Sequence, residues 1–206
     1  MNNIAILAEE LRLHEGIKLI TYPGPVTGEP HIAYGHFLGQ DQTETELEIL
    51  GLEEDLDDWE GFTITKEQAE ALLLEDIQDA IESLAPKFTE DELMALDPQR
   101  FIALISMSFQ MGGYKIQRGF PSFVAAIKNE DWDRAADEMM WSNGLKKQKR
   151  SAWYQQTPDR CQEMSDKMRH GSKTPQSDGT EENDIDLSSV SNENLLGELR
   201  RRLLGN

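Results

Sequence analysis

Residues 101–111, FIALISMSFQM, are apolar on almost every side of a helix. A helix with no polar face cannot lie on a surface; it has to be enclosed. Its ends are marked in the sequence. Asp97 is placed to cap it, with Pro98 in the first turn, and Gly112-Gly113 stops it. The chain must therefore supply other helices to surround this one. With 206 residues it can bury such a core without covalent staples. Cys161 is the one cysteine, so no intramolecular disulfide is possible and no oxidising compartment is required.

The surrounding helices can be read from spacing. Ile4, Leu7, Ala8 and Leu11 predict a first amphipathic helix over residues 3–14, with Gly16 as its stop after Glu15. Thr65 with Gln68 forms a capping box, Ile64 can staple it, and Ala69, Leu72, Leu73, Ile77, Ala80, Ile81 and Leu84 continue one apolar face to Pro86. Thr89 with Glu92 starts a short helix. Gly119–Lys128, Asp131–Trp141 and Pro158–His170 read as further helices, the last opened by the cap-then-proline pair Thr157-Pro158. Only one segment reads as β. Ile17–Tyr22 and His31–Gly35 flank the turn residues Pro23, Gly24, Pro25 and Gly28 and predict a small twisted hairpin. Asp41–Glu60 holds ten acids and no base; without the pattern of a calcium loop it reads as a solvated acidic helix and loop, and no metal is expected.

After Gly171 the composition turns polar, and residues 171–187 read as a linker. Residues 188–206 read as a C-terminal amphipathic helix. Leu195, Leu196, Leu199, Leu203 and Leu204 form its stripe, and a helix this short needs a surface to dock on. The formal net charge of −19 excludes nucleic acid as the main partner, because phosphate binding needs cationic patches. It suits solubility and is awkward for an anionic polymer substrate. Neither a basic leader nor a membrane span is visible, and synthesis and retention in a cytoplasm is the expectation.

Several motifs then carry a resemblance. Glu15-Gly16, Tyr22 and Ile32-Ala33-Tyr34-Gly35-His36 resemble the catalytic segment of the phage-type lysozymes of glycoside hydrolase family 24. Phe109-Gln110-Met111-Gly112, Gly119-Phe120, Trp132-Asp133 with Ala135-Ala136, and Trp153–Arg160 are similar to the T-even branch of that family. Trp141 with Gly144-Leu145-Lys146-Lys147 and Arg150 resembles a turn of its lambdoid branch. The motifs keep their order over about residues 3–170.

The resemblance implies an α+β, mainly α fold of two lobes: an N-terminal hairpin lobe over about 1–64, a connecting helix over about 65–84, and a helical lobe over about 85–170. It implies a muramidase that binds peptidoglycan between the lobes and hydrolyses the β-1,4 bond between N-acetylmuramic acid and N-acetylglucosamine. No cofactor is expected. The enzyme would act on the wall at host lysis, or be carried in a virion, with residues 190–204 available to an assembly partner.

The site residues follow position by position. Glu15 matches the family's general acid, and a carboxyl at a helix end near apolar groups is suited to hold its proton. Arg160 matches the arginine that pairs with that acid, Tyr22 the motif tyrosine, and His36 with Asp76 a structural pair. Phe37, Phe109, Gln110, Phe123 and Glu138 match positions lining the sugar cleft, although Phe123 and Glu138 differ in type from their polar counterparts; core packing is the alternative for the apolar members. The second catalytic carboxylate is missing: its position falls on Gly24. The family's threonine, which positions the attacking water, falls on His31. A neutral imidazole there could serve as general base or as nucleophile. Glu29, two residues earlier and hence expected on the same face of a strand, could supply the missing charge. The competing expectation is a catalytically impaired lysozyme-like module, kept for structure or wall binding and anchored by its C-terminal helix.

Overall fold

The computed structural model describes residues 3–24, 28–39, 41–55, 58–142 and 147–172. Residues 173–187 of the expected linker, the C-terminal helix and Gly144-Leu145-Lys146 lie outside the described residues. In chain order the elements are α1 (Asn3–Glu15), β1 (Lys18–Pro23), β2 (Pro30–Ala33), β3 (His36–Phe37), α2 (Glu44–Leu50), α3 (Lys66–Glu82), α4 (Glu90–Met94), α5 (Pro98–Met111), α6 (Gly113–Gly119), α7 (Pro121–Lys128), α8 (Trp132–Met140), α9 (Ala152–Gln156) and α10 (Pro158–His170). This is the mainly helical α+β class. Described residues fall into two compact units: 8–77, and 3–7 together with 78–172. The division falls inside α1 and inside α3.

In the unit of 8–77, Gly16 ends α1 with φ +66°, and its N–H donates to the Arg12 carbonyl. The β segment is a three-stranded antiparallel sheet in the order β1-β2-β3, not the two-stranded hairpin expected. The cause is local. Ala33 and Gly35 take φ of +55° and +96°, which turns the chain back immediately and pairs His31 with Phe37 and Ile32 with His36. Helix α2 grows out of the acidic segment behind a capping box, Thr43 with Glu46, and α3 starts behind the expected box of Thr65 and Gln68. The Gln68 amide also donates to the carbonyls of Ile49 and Leu50, tying the end of α2 to the start of α3.

In the other unit α5 is enclosed as its composition requires. Every residue from Phe101 to Ser108 is buried, and α10 and α6 pack on it. Helix α10 also packs on α8, and α7 on α8, around Phe123, Met139, Trp153 and Met164, all at 0 % exposure. Gly112 stops α5, but the chain restarts at once as α6, an element the sequence did not announce. Gly113 has to be glycine: a Cβ there would lie 2.1 Å from Ser83 Oγ and 2.7 Å from the Ser83 carbonyl. The Gln117 amide donates to that same carbonyl, so α6 is seated on the residue that follows α3. The Asp97 cap and Pro98 are found as expected. Thr157 is not a side-chain cap; its hydroxyl points instead to Gln110 Oε1 at 3.2 Å. Among the described residues no helix is long and apolar enough to cross a membrane.

Candidate active site

Glu15 is the last residue of α1 and belongs to the same unit as the three-stranded sheet. It is exposed, not enclosed by apolar groups as the sequence suggested, because Gly16 turns the chain away directly after it. The end of α1 is held by a cluster that sequence reasoning missed. The Arg12 guanidinium donates from Nε and Nη2 to Glu70 Oε2 at 2.9 and 2.6 Å, and Tyr34 donates its hydroxyl to Glu70 Oε1. Burial would raise the Glu70 pKa, but the bonds and charge of Arg12 and the Tyr34 hydroxyl outweigh it and keep the carboxyl below its usual range. Tyr34 is pushed up to about 12, by burial first and then by its bond to that carboxylate. Glu70 therefore fixes both the last turns of α1 and the β2–β3 turn.

Three side chains form a row across the sheet. Tyr22 on β1 faces His31 on β2, which faces Phe37 on β3. Their ring centroids are 5.9 Å and 5.7 Å apart. Lys18 Nζ lies 3.7 Å from the centre of the Tyr22 ring, a cation–π contact. Tyr22 has a raised pKa, from burial and then from the negative charge of Glu15, so the acid and this row share one electrostatic neighbourhood.

Gly24 follows β1 and is buried. Its N–H donates to the Glu29 carbonyl at 2.7 Å, and its own carbonyl accepts from Gly28 N–H at 3.1 Å. A Cβ on Gly24 would lie 2.6 Å from His31 Cε1 and 2.8 Å from Nδ1. The imidazole thus occupies the space into which a side chain at position 24 would project. His31 Nδ1 is also 3.0 Å from the Glu29 carbonyl. Glu29 itself is exposed, just before β2, and this contact to His31 comes from its backbone, not from the carboxylate the sequence pointed to.

His36 belongs to a separate cluster. Nδ1 is 2.8 Å from Asp76 Oδ1 on α3, and Nε2 is 3.2 Å from Glu46 Oε1 on α2. Burial works against charge on this ring, but the two carboxylates more than reverse that and hold its pKa up at about 10. Glu46 went unread, although Thr43-x-x-Glu46 is a capping-box signature that would have placed it at the start of α2.

The remaining candidates lie in the unit of 3–7 and 78–172. Phe109 and Gln110 are half-buried at the end of α5. Gln110 Oε1 accepts from Trp153 Nε1 at 2.6 Å as well as from Thr157. Phe123 corrects an expectation. At 0 % exposure it is part of the core and offers no face to a sugar, as a phenylalanine in the middle of α7's apolar side must. Glu138 lies 3.8 Å from Arg134 and lines a cavity of about 720 Å³ with Tyr114, Arg118, Phe120 and Trp141. Arg160 is buried in the first turn of α10.

Comparison with known proteins agrees with this architecture. The family model described as phage lysozyme matches residues 12–154. Two curated proteins of Dictyostelium discoideum are similar. "Probable T4-type lysozyme 1" is 30% identical over 164 residues, covering 76% of this chain and 89% of that protein. "Probable T4-type lysozyme 2" is 29% identical over 163 residues, covering 76% and 89%.

Proposed function

The chain belongs to the phage lysozyme family, and from that premise we propose that it is a peptidoglycan hydrolase whose acid is Glu15 and whose base is His31. Glu15 donates its proton to the bridging oxygen of the β-1,4 bond between N-acetylmuramic acid and N-acetylglucosamine. As that C–O bond breaks, water adds at the anomeric carbon and its proton passes to the imidazole. The products are a free 4-hydroxyl on one sugar and a reducing end on the other; solvent then returns Glu15 and His31 to their starting protonation. General acid and general base each contribute about 10²–10⁴-fold in such reactions.

One observation carries the reading. The imidazole of His31 fills the place beside Gly24 that a side chain there would take, between the rings of Tyr22 and Phe37. A titratable group thus stands where the missing carboxylate would begin. Glu29 is the alternative base, since its exposed carboxylate precedes His31 by two residues. Phe37, 46 % exposed, is available to stack on a sugar face. The enzyme would act on the wall at lysis or from a virion, where residues 190–204 would contact an assembly partner. Gly24 also supports a second reading, a wall-binding module without turnover.

Clearing of purified peptidoglycan separates the two. Wild type is expected to clear it and Glu15→Gln to lose at least about a hundredfold in rate. No clearing by wild type at any pH or salt would leave the binding module.

A further inference from the structure

We propose that Gly24 and the Glu29 carbonyl are positioning groups that seat the His31 ring in a single tautomer, with Nε2 as its basic nitrogen. The inference rests on the reading of His31 as the base and adds which of its atoms does the work, and why position 24 is glycine.

A carbonyl oxygen can only accept. The 3.0 Å contact between His31 Nδ1 and the Glu29 carbonyl therefore requires the proton of the neutral ring to sit on Nδ1. The lone pair is then on Nε2. This is the opposite of the form that free imidazole side chains favour. The Glu29 carbonyl is itself fixed, because it also accepts from Gly24 N–H at 2.7 Å. The Gly28 N–H holds the Gly24 carbonyl from the other side at 3.1 Å. The ring is thus anchored to a short stretch of backbone that its own bond helps to close.

Gly24 makes this possible by having no Cβ. An added methyl would lie 2.6 Å from Cε1 and 2.8 Å from Nδ1, distances that packed atoms do not sustain. The backbone at Gly24 is not in the left-handed region, unlike that at Gly28 with φ +74°. Alanine is therefore conformationally admissible at 24; its chief obstacle is the ring, and the Glu29 carbonyl oxygen, 3.3 Å from the added methyl, has to give only slightly. Because a side chain can swing where backbone cannot, Gly24→Ala would displace the imidazole and break its bond to Glu29, leaving the fold in place.

Nitrogen spectra of the uniformly ¹⁵N-labelled full-length chain decide the point. Long-range ¹H–¹⁵N correlations distinguish a protonated from a bare ring nitrogen, and the His31→Gln variant identifies the resonances among the four histidines. With the ring neutral, wild type is expected to show protonated Nδ1 and bare Nε2 for His31. Gly24→Ala is expected to lose that pattern, to keep a thermal midpoint close to wild type, and to lower kcat on peptidoglycan by about tenfold or more with little change in KM. A bare Nδ1 in wild type overturns the proposal, as do an unchanged tautomer and rate in Gly24→Ala. If Gly24→Ala does not fold, the wild-type spectrum still decides the tautomer. Since that spectrum is read without substrate, full activity in His31→Ala would sink the catalytic role of His31 and leave the seating to be judged on its own.

Discussion

His36 is a buried imidazole held between two carboxylates. A buried imidazole between Asp76 and Glu46 has its pKa raised from an unfolded value of about 6.5 to about 10. A group raised on folding stabilises fully below its unfolded pKa and loses that contribution as pH climbs through the folded one. Its effect is therefore complete below about pH 6.5 and fades toward pH 10. Thermal unfolding of wild type and His36→Gln is expected to differ by on the order of a few kcal/mol near neutral pH, with the gap shrinking as pH approaches 10. A gap that stays constant from pH 6 to 10 would mean the ring is not charged in the fold. The sequence placed His36 and Asp76 together through the family motif, but not Glu46. Nor could it reveal that Arg12, Tyr34 and Glu70 meet, since no local pattern links positions so far apart in the chain. The absence of a carboxylate at Gly24 was plain from the sequence. That His31 fills the gap required coordinates, because a ring's direction is not encoded by spacing.

At the level of elements, legibility followed periodicity and caps. The boxes at Thr65 and Thr89, the Asp97 cap and the enclosed α5 are all where the spacing put them. Elements without periodicity were missed. β3 has two residues, and α6 begins at a glycine directly after a stop. Phe123 was assigned to a cleft by motif although its helix is apolar around it, and packing won. The seat of α6 gives a direct test. Gly113→Ala must push a methyl into Ser83, including its backbone carbonyl, which cannot swing aside. Chemical denaturation is expected to show a loss of about 1–3 kcal/mol with an unchanged m-value. A loss below about 0.5 kcal/mol would mean that α6 can shift freely on Ser83.

The whole molecule carries a net charge of −19 and is read as acting on an anionic wall. Long-range repulsion should slow encounter at low ionic strength, where the screening length is about 30 Å at 0.01 M, and relax by 0.15 M, where it is about 8 Å. Clearing rate is therefore expected to rise severalfold over that range. A rate that falls with salt would point to attraction, and hence to a local cationic patch governing binding. On the proposed function, this acidic lysozyme-family chain turns over peptidoglycan with a histidine in place of the missing carboxylate. The release of reducing ends from purified peptidoglycan by wild type and by His31→Ala, with matched folding checked by circular dichroism, tests this. Wild type is expected to release them and His31→Ala to lose about a hundredfold or more in kcat; equal rates in the two proteins would rule the histidine out as the base.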